Sequence, residues 1–305
     1  MHRVWKDRPF AMKKAEQLWR LVRESHEQPI AGTSHPVELV KQNELGVTFI
    51  GHSSFFLQIA GRKVLIDPVF SKRLIVLRRQ RRPGLVVREL PPIDIVLLTH
   101  AHMDHLDLAS LRRVIRATRR LTGHTPEVVV PRGVEDLVES LGFSRVHRLE
   151  WWEETEVQGL KVTMTPCKHW GARMFRDMHR GYGGYVVEGG RQSVYHSGDT
   201  AYFDGFREIG RRLKPELALL PIGAYFPDSH RSVHTNPEEA VRGFVDLGAE
   251  QMIPMHYGTF RLGREPMDEP LKRLEAEAVR LGIQGQIKVL EEGETMHLCP
   301  ATSIR

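Results

Sequence analysis

The main body of the chain opens with short apolar runs separated by tight turns. Apolar runs occupy 46–50, 53–59 and 63–67, and Gly61-Arg62 forms the turn before the third run. Runs of this length with glycine-containing turns are typical of strands joined in a hairpin meander. We therefore expect antiparallel β-structure at the start of the main body.

Apolar residues at helical spacing, or strong helix-start signals, predict several helices. The spacing predicts helices over 9–25, 108–120, 133–141 and 271–281. Another helix is predicted after Asn236, because an N-cap residue followed by proline and two acidic residues is a strong helix start. A strand hairpin around Glu292-Gly293 is expected to complete a sheet. Strands and helices mixed in this way predict an α/β fold.

One polar segment directly follows the apolar run 93–98. Six consecutive residues of this segment contain three histidines and one aspartate, which are His100, His102, Asp104 and His105. Imidazole and carboxylate groups suit zinc and its first-row neighbours. Because side chains two apart in an extended segment project to the same side, His100 and His102 can share one ion. Asp104 and His105 can then face a second ion, so we expect a dinuclear site.

Later apolar strands are also followed by candidate ligands, and strand ends are where layered α/β proteins place their chemistry. The pairs are 160–165 with His169, 193–196 with Asp199, and 252–255 with His256. The expected ligands are His100, His102 and His169 for one ion, Asp104, His105 and His256 for the other, and Asp199 as the bridge. Two metals about 3.5–4 Å apart suit hydrolysis, because they clamp the attacking and leaving oxygens.

Four further residues are candidates for supporting roles. His52 and Asp67 each follow a strand and could orient a ligand histidine, although His52 could equally be satisfied by local backbone. His234 could contact the substrate or donate a proton to the leaving group, or it could have only a capping or surface role. His196 is expected to support the site or the core rather than to bind metal.

Beyond the metal motif, several segments resemble one known family. The His-x-His-x-Asp-His motif resembles that of the metallo-β-lactamase-fold hydrolases. The segments 51–55, 67–71, 90–94, 169–170, 198–200, 221–225, 236–240 and 256–260 are most similar to N-acylphosphatidylethanolamine-hydrolysing phospholipase D and its bacterial relatives. Residues 171–184 and the loop after Tyr225 follow this family poorly, which leaves the lipid specificity open.

The resemblance implies an αββα sandwich of two mixed β-sheets flanked by helices, with a di-zinc site at one edge. It implies metal ligands at His100, His102, Asp104, His105, His169, Asp199 and His256. The expected reaction is phosphodiester hydrolysis of an N-acylphosphatidylethanolamine-type phospholipid, with Asp104, Asp199 and His234 as the catalytic residues. The alternative is a lactonase or sugar-phosphate hydrolase of the same fold, acting on a small soluble metabolite.

Composition limits the partners and the location. The 305 residues carry a net charge of +6, with a pI near 9.4 and 41% hydrophobic residues, so an anionic partner is allowed. We expect a phospholipid or a small phosphorylated substrate and no nucleic acid, while a homodimer is left open. The arginine-rich segment from Lys72 to Arg88 is expected to be a mobile loop that meets phosphate or lipid headgroups, or is merely solvated.

Two cysteines, Cys167 and Cys299, give no disulfide framework. No apolar run is long enough to span a bilayer, and no secretory signal is visible. We therefore expect a cytoplasmic protein, with peripheral membrane contact as an open alternative. The expected organisation is an N-terminal helical extension over 1–40 and a hydrolase domain over 41–305.

Overall fold

The computed structural model describes residues 10–27, 29–173 and 177–298. Fifteen strands and five α-helices occur in these ranges. The strands are β1 (Leu45–Gly51), β2 (Ser54–Ile59), β3 (Arg62–Ile66), β4 (Arg73–Leu74), β5 (Leu77–Arg78), β6 (Ile95–Leu97), β7 (Glu127–Pro131), β8 (Val146–Leu149), β9 (Glu154–Val157), β10 (Leu160–Thr165), β11 (Gly184–Gly189), β12 (Gln192–His196), β13 (Leu217–Pro221), β14 (Gln251–Met255) and β15 (Thr295–Leu298). The helices are α1 (Phe10–Glu27), α2 (Leu108–Thr122), α3 (Gly205–Leu213), α4 (Pro237–Leu247) and α5 (Glu269–Leu281).

Two mixed sheets form the centre of the fold. The first has seven strands in the order β15-β1-β2-β3-β6-β7-β8, and the second has six in the order β14-β13-β12-β11-β10-β9. In the first sheet β3, β6, β7 and β8 run parallel, and in the second β12, β13 and β14 run parallel. Because β11 is antiparallel to both β10 and β12, β10 points the same way as β12.

Three apolar clusters explain the layers. Inward-facing side chains of both sheets, including Phe55 and Val187, form one buried cluster between the sheets. A second cluster joins the other face of the first sheet to α2 through residues such as Leu111, and a third joins the second sheet to α3, α4 and α5. Burial on both faces explains why β13 is apolar throughout rather than alternating, and why every residue of β1 is buried. The expected αββα sandwich is therefore confirmed.

Helix ends follow the signals in the sequence. Asn236 accepts from the backbone N–H of Glu239, and the Glu239 side chain accepts from the backbone N–H of Asn236, which is a capping box with Pro237 in the first turn. Asp107 caps α2 by accepting from the backbone N–H of Ala109. The start of α2 is therefore fixed directly after the His-rich segment.

Three local predictions were wrong. The helix expected over 133–141 is replaced by two separate 3-10 turns, Glu135–Leu137 and Glu139–Leu141, because Val138, which is buried in the core cluster with α2, has a non-helical φ of −120° and interrupts the helix between them. The loop expected over 72–88 contains the two-stranded hairpin β4–β5. The expected C-terminal hairpin is the single strand β15, which pairs with β1 and completes the edge of the first sheet.

The C-terminal end of the N-terminal helix α1 contacts the β4–β5 hairpin. The Ser25 hydroxyl accepts from the backbone N–H of Arg78, and the Gln80 side chain donates to the Ser25 carbonyl. The division at residue 40 stays a prediction, and Cys299 lies outside the described residues. None of the helices in the described ranges combines the length and the hydropathy that crossing a bilayer requires.

Candidate metal centre

The predicted ligands meet at one edge of the sandwich, where strands of both sheets end. The first sheet delivers the segment after β6, and the second delivers the residues that follow β10, β12 and β14. These strands point the same way within each sheet, so their carboxyl ends open onto a common edge. The structure brings together all seven residues predicted as ligands, which are His100, His102, Asp104, His105, His169, Asp199 and His256, and it adds His52 and His234.

The first group of candidate ligands consists of His100, His102, His169 and Asp199. Nδ1 of His102 lies 2.8 Å from Nε2 of His100 and 3.2 Å from Nε2 of His169. Tetrahedral zinc with Zn–N distances of about 2.1 Å places its nitrogen ligands roughly 3.4 Å apart. The three imidazole nitrogens are therefore close enough to share one cation.

Outer hydrogen bonds fix the ring nitrogens that face this centre. The Thr99 hydroxyl donates to Asp67 at 2.6 Å, so it must accept from Nδ1–H of His100 at 2.9 Å. Nδ1 of His169 donates to the Val233 carbonyl at 2.9 Å. A neutral imidazole carries only one N–H, so Nε2 of both histidines presents a lone pair to the centre.

The second group consists of His52, Asp104, His105 and His256. Oδ2 of Asp104 lies 3.0 Å from Nε2 of His52, 3.7 Å from Nε2 of His105 and 3.5 Å from Nε2 of His256. Nδ1 of His105 donates to Asp67 at 2.7 Å, which again leaves Nε2 as the nitrogen that faces inward. His105 is the anchored histidine of this group, because Nδ1 of His52 and Nδ1 of His256 have no hydrogen-bond partner among the described residues.

Asp199 lies between the two groups. Its Oδ2 is 4.0 Å from Nε2 of His100 and 3.9 Å from Nε2 of His169, both in the first group. The same oxygen is 3.0 Å from Nε2 of His256, and Oδ1 is 3.3 Å from Nε2 of His105. One carboxylate is thus within reach of both groups, which is the arrangement that a bridging ligand requires.

Several inward-facing atoms have no hydrogen-bond partner within the described part of the chain. They include Nε2 of His105, Nε2 of His256, Oδ1 of Asp199 and Nδ1 of His234. Buried polar atoms are normally satisfied, and leaving several unsatisfied in one place is costly. Imidazole lone pairs and carboxylate oxygens aimed at a common point fit divalent metal ions, so the residues present suit the metal that this ligand set implies.

The protonation states follow from burial and from the two carboxylates. Burial lowers the pKa of His169 to about 3 and that of His100 well below its usual value. Burial has the same sense at His256, but Asp199 and Asp104 outweigh it and raise the pKa to about 9. Burial opposes ionisation of Asp199, yet His105 and His256 hold the pKa of its carboxyl well below the normal range. The centre therefore contains two ionised carboxylates and a first group of neutral imidazoles.

Backbone strain accompanies this geometry. The φ angles of His52, Asp67 and His256 are 62°, 44° and 61°, in the left-handed region that side chains other than glycine rarely adopt. Such conformations cost about 1–3 kcal/mol each and cluster at functional sites. Gly198 is also left-handed, and a Cβ there would lie 2.7 Å from the Gly183 carbonyl oxygen. The chain therefore turns sharply at these strand ends, and the turns direct the neighbouring side chains toward the candidate metal centre.

Two residues outside the predicted set contact the His-rich segment. Nη1 of Arg173 donates to the carbonyl oxygens of Ala101 and Leu106, both at 2.8 Å, and so links the two ends of the segment. The ring of Trp170 packs against His102 and His169, with centroids 4.7 and 4.3 Å away. Arg173 could not have been found from sequence, because nothing in the spacing shows that it reaches back to residue 101.

The supporting candidates can also be placed. Asp67 contacts the ligand candidate His105, as expected, and His52 belongs to the second group, where its Nε2 contacts Asp104. His196 contacts the carbonyl oxygen of Ser53 through Nε2 at 3.0 Å and lies outside the ligand groups. Nδ1 of His234 is 3.9 Å from Oδ2 of Asp199, in a third group with His256.

Comparisons with known proteins agree with this geometry. The profile of the family described as "Beta-lactamase superfamily domain" matches residues 62–257. A metal-dependent hydrolase of Methanopyrus kandleri is 34% identical over 254 residues, which cover 82% of this chain and 98% of that protein. N-acyl-phosphatidylethanolamine-hydrolyzing phospholipase D 1 of Caenorhabditis elegans is 33% identical over 258 residues, covering 76% of this chain and 70% of that protein.

A solved structure extends the likeness to three dimensions. Igni18, a metallo hydrolase from the archaeon Ignicoccus hospitalis, superposes with a TM-score of 0.63 at 25% identity, over 84% of this chain and 98% of that chain. Sequence profile, relatives and fold therefore agree with one another and with the clustered histidines and aspartates. The chain belongs to the β-lactamase superfamily and is one of its metal-dependent hydrolases.

Proposed function

We propose that this metal-dependent hydrolase uses two zinc ions to cleave a phosphodiester of the N-acylphosphatidylethanolamine type, in the manner of a phospholipase D. The observation that carries the proposal is the position of Asp199 between two histidine-rich groups, with oxygens 3.0 Å from His256 and 3.3 Å from His105. The name of the C. elegans relative supports this choice of substrate.

His100, His102 and His169 would hold one ion, Asp104, His105 and His256 the other, and Asp199 would bridge them. Zinc ions in such a site lower the pKa of a bound water to about 7 and polarise a phosphoryl oxygen. His52 lies 3.0 Å from Oδ2 of Asp104 and orients that carboxylate from the protein side.

The chain's own residues then have distinct roles. Asp199 orients the attacking water, whose oxygen forms the new bond to phosphorus as the bond to the leaving oxygen breaks. His234 lies beside Asp199 and has an Nδ1 without a partner among the described residues. Burial lowers the pKa of His234 well below its usual value, so its imidazole is neutral and offers one N–H to the leaving oxygen.

A lactonase or sugar-phosphate hydrolase of the same fold is the alternative. It needs the same two groups of ligands, and the M. kandleri relative is named only as a metal-dependent hydrolase. The two functions differ in the substrate that fits, because a lipid requires access for a large amphiphile. A reducing, cytoplasmic setting is part of the proposal; Cys167 is buried and has no disulfide partner among the described residues.

The test is a hydrolysis screen with the zinc-loaded full chain. The substrates are N-acylphosphatidylethanolamine in mixed micelles, bis-p-nitrophenyl phosphate, a phosphorylated lactone and RNA, and Asp199→Asn is the inactive control. We expect release of an N-acylethanolamine and phosphatidic acid in an Asp199-dependent reaction. Turnover of the lactone alone would replace the proposal with the alternative.

A further inference from the structure

Helix α2 carries a continuous cationic face. Its five arginines, which are Arg112, Arg113, Arg116, Arg119 and Arg120, are all exposed. At 100° and 1.5 Å per residue, they fall within an arc of about 120° over roughly 12 Å of helix. The buried residues Leu111, Val114 and Thr118 lie on the opposite side. The arginines therefore point away from the core along one side of the molecule.

None of these guanidinium groups forms an ion pair with a carboxylate in the part of the chain that the structure describes. Arginines on other helices do so, as with Arg212 and Glu208 on α3 or Arg280 and Glu277 on α5. Residues 108–124 contain no Asp or Glu. Like charges three and four positions apart destabilise a helix, so this face is electrostatically unfavourable by itself and suits an external anion.

The helix that carries this face begins beside the candidate metal centre. Asp107, which caps α2, is two residues after His105, and its carboxylate accepts from the Ser71 hydroxyl. The hairpin β4–β5 follows Ser71, and its tip exposes Ile75 at 72% and Val76 at 43%. The hydrogen bond between Ser71 and Asp107 thus connects the start of the basic helix to the segment that leads into the hairpin with the exposed apolar tip. Asp107 is close in sequence to the ligand candidate His105.

We propose that the arginine face of α2 binds an anionic lipid surface and holds the metal centre at the membrane. The choice of a membrane rests on the proposed phospholipid substrate and on the charge of this face, because clustered arginines suit anionic headgroups. Nucleic acid is the less suitable partner, because residues 108–124 contain no Phe, Tyr, Trp, Asn or Gln to stack on or read bases.

The experiment is co-sedimentation of the full chain with vesicles of phosphatidylcholine and phosphatidylglycerol in equal parts, against phosphatidylcholine alone. Arg116→Gln/Arg120→Gln is compared with Arg211→Gln/Lys214→Gln, which removes the same charge from exposed positions of the helix layer on the other sheet. Near a charged membrane each arginine contributes about fivefold, so the α2 variant should partition about 25-fold less well. The control variant should bind like the wild type, and added salt should weaken all binding.

Equal losses in the two variants would overturn the proposal, because net charge alone would then explain binding. Tighter binding to duplex DNA or RNA than to anionic vesicles, lost in the α2 variant, would replace the membrane with nucleic acid. Hydrolysis of bis-p-nitrophenyl phosphate separates this inference from the proposed function. The α2 variant should retain that activity. If the chain binds vesicles but cleaves no phosphodiester, the lipid-binding surface is supported and the proposed substrate is wrong.

Discussion

Asp67 accepts a hydrogen bond from Nδ1 of His105 at 2.7 Å, between two side chains that are both fully buried. The same carboxylate accepts from the hydroxyl of Thr99, which in turn accepts from His100. One buried acid, attached to a strand end with a left-handed backbone, therefore orients a histidine of each candidate metal group.

Asp67→Asn should lower zinc affinity by about 10- to 100-fold, because an amide orients the ligand histidines less well than a carboxylate does. Competition with a chromophoric chelator measures the affinity. Asp94→Asn is the matched control, since Asp94 lies just before β6 and accepts from the backbone N–H of Lys63 at the far end of that strand. Equal affinities for Asp67→Asn and the wild type would exclude the orienting role.

Removing Arg173 should loosen the His-rich segment. Arg173→Met keeps the aliphatic stem but loses both hydrogen bonds to the carbonyls of Ala101 and Leu106. We expect the free energy of unfolding of the metal-free protein to fall by about 2 kcal/mol, the typical cost of losing charge-assisted hydrogen bonds. Urea denaturation measures it, with Arg132→Met, whose Nε pairs with Glu150 at a half-exposed site, as the control.

His234→Gln should separate leaving-group chemistry from binding. Loss of a hydrogen-bond donor to developing negative charge typically costs about 10²-fold or more in kcat, and we expect this loss when the leaving group is an alkoxide. A p-nitrophenolate leaving group needs little such stabilisation, so kcat for bis-p-nitrophenyl phosphate should change much less. His230→Gln, in the 3-10 turn before His234, should leave both reactions unchanged. Equal losses on both substrates would assign His234 to metal binding or structure.

Zinc uptake should become tighter as the pH rises from 7 to 9. The pKa of His256 is raised to about 9 in the metal-free protein, so at pH 7 this imidazole is protonated, and zinc binds only its neutral form. Each proton released on binding makes the affinity rise by about tenfold per pH unit until the pKa is passed. Calorimetry in two buffers of different ionisation enthalpy measures the release. A pH-independent affinity would contradict this assignment.

Sequence alone could predict the ligands because each one follows an apolar strand, and strand ends of a layered α/β fold meet at one edge. The position of His256 after β14 and that of His169 after β10 followed from this rule. Long-range packing determines the two 3-10 turns near Gly142, the β4–β5 hairpin and the single strand β15. The spacing of hydrophobic residues along the sequence carries no information about such packing. Likewise, the contact of Arg173 with Ala101 spans 72 positions and exists only once the loops are folded.

We infer that two metal-binding groups share Asp199. Metal analysis of the purified, zinc-reconstituted chain beside the Asp199→Ala variant tests it most directly, with phosphodiester hydrolysis measured on the same samples. We predict two zinc ions per wild-type chain, fewer than two per variant chain, and activity that is lost on chelation and restored by zinc. One or no zinc ion in an active wild-type chain, or full activity of the variant, would contradict the account.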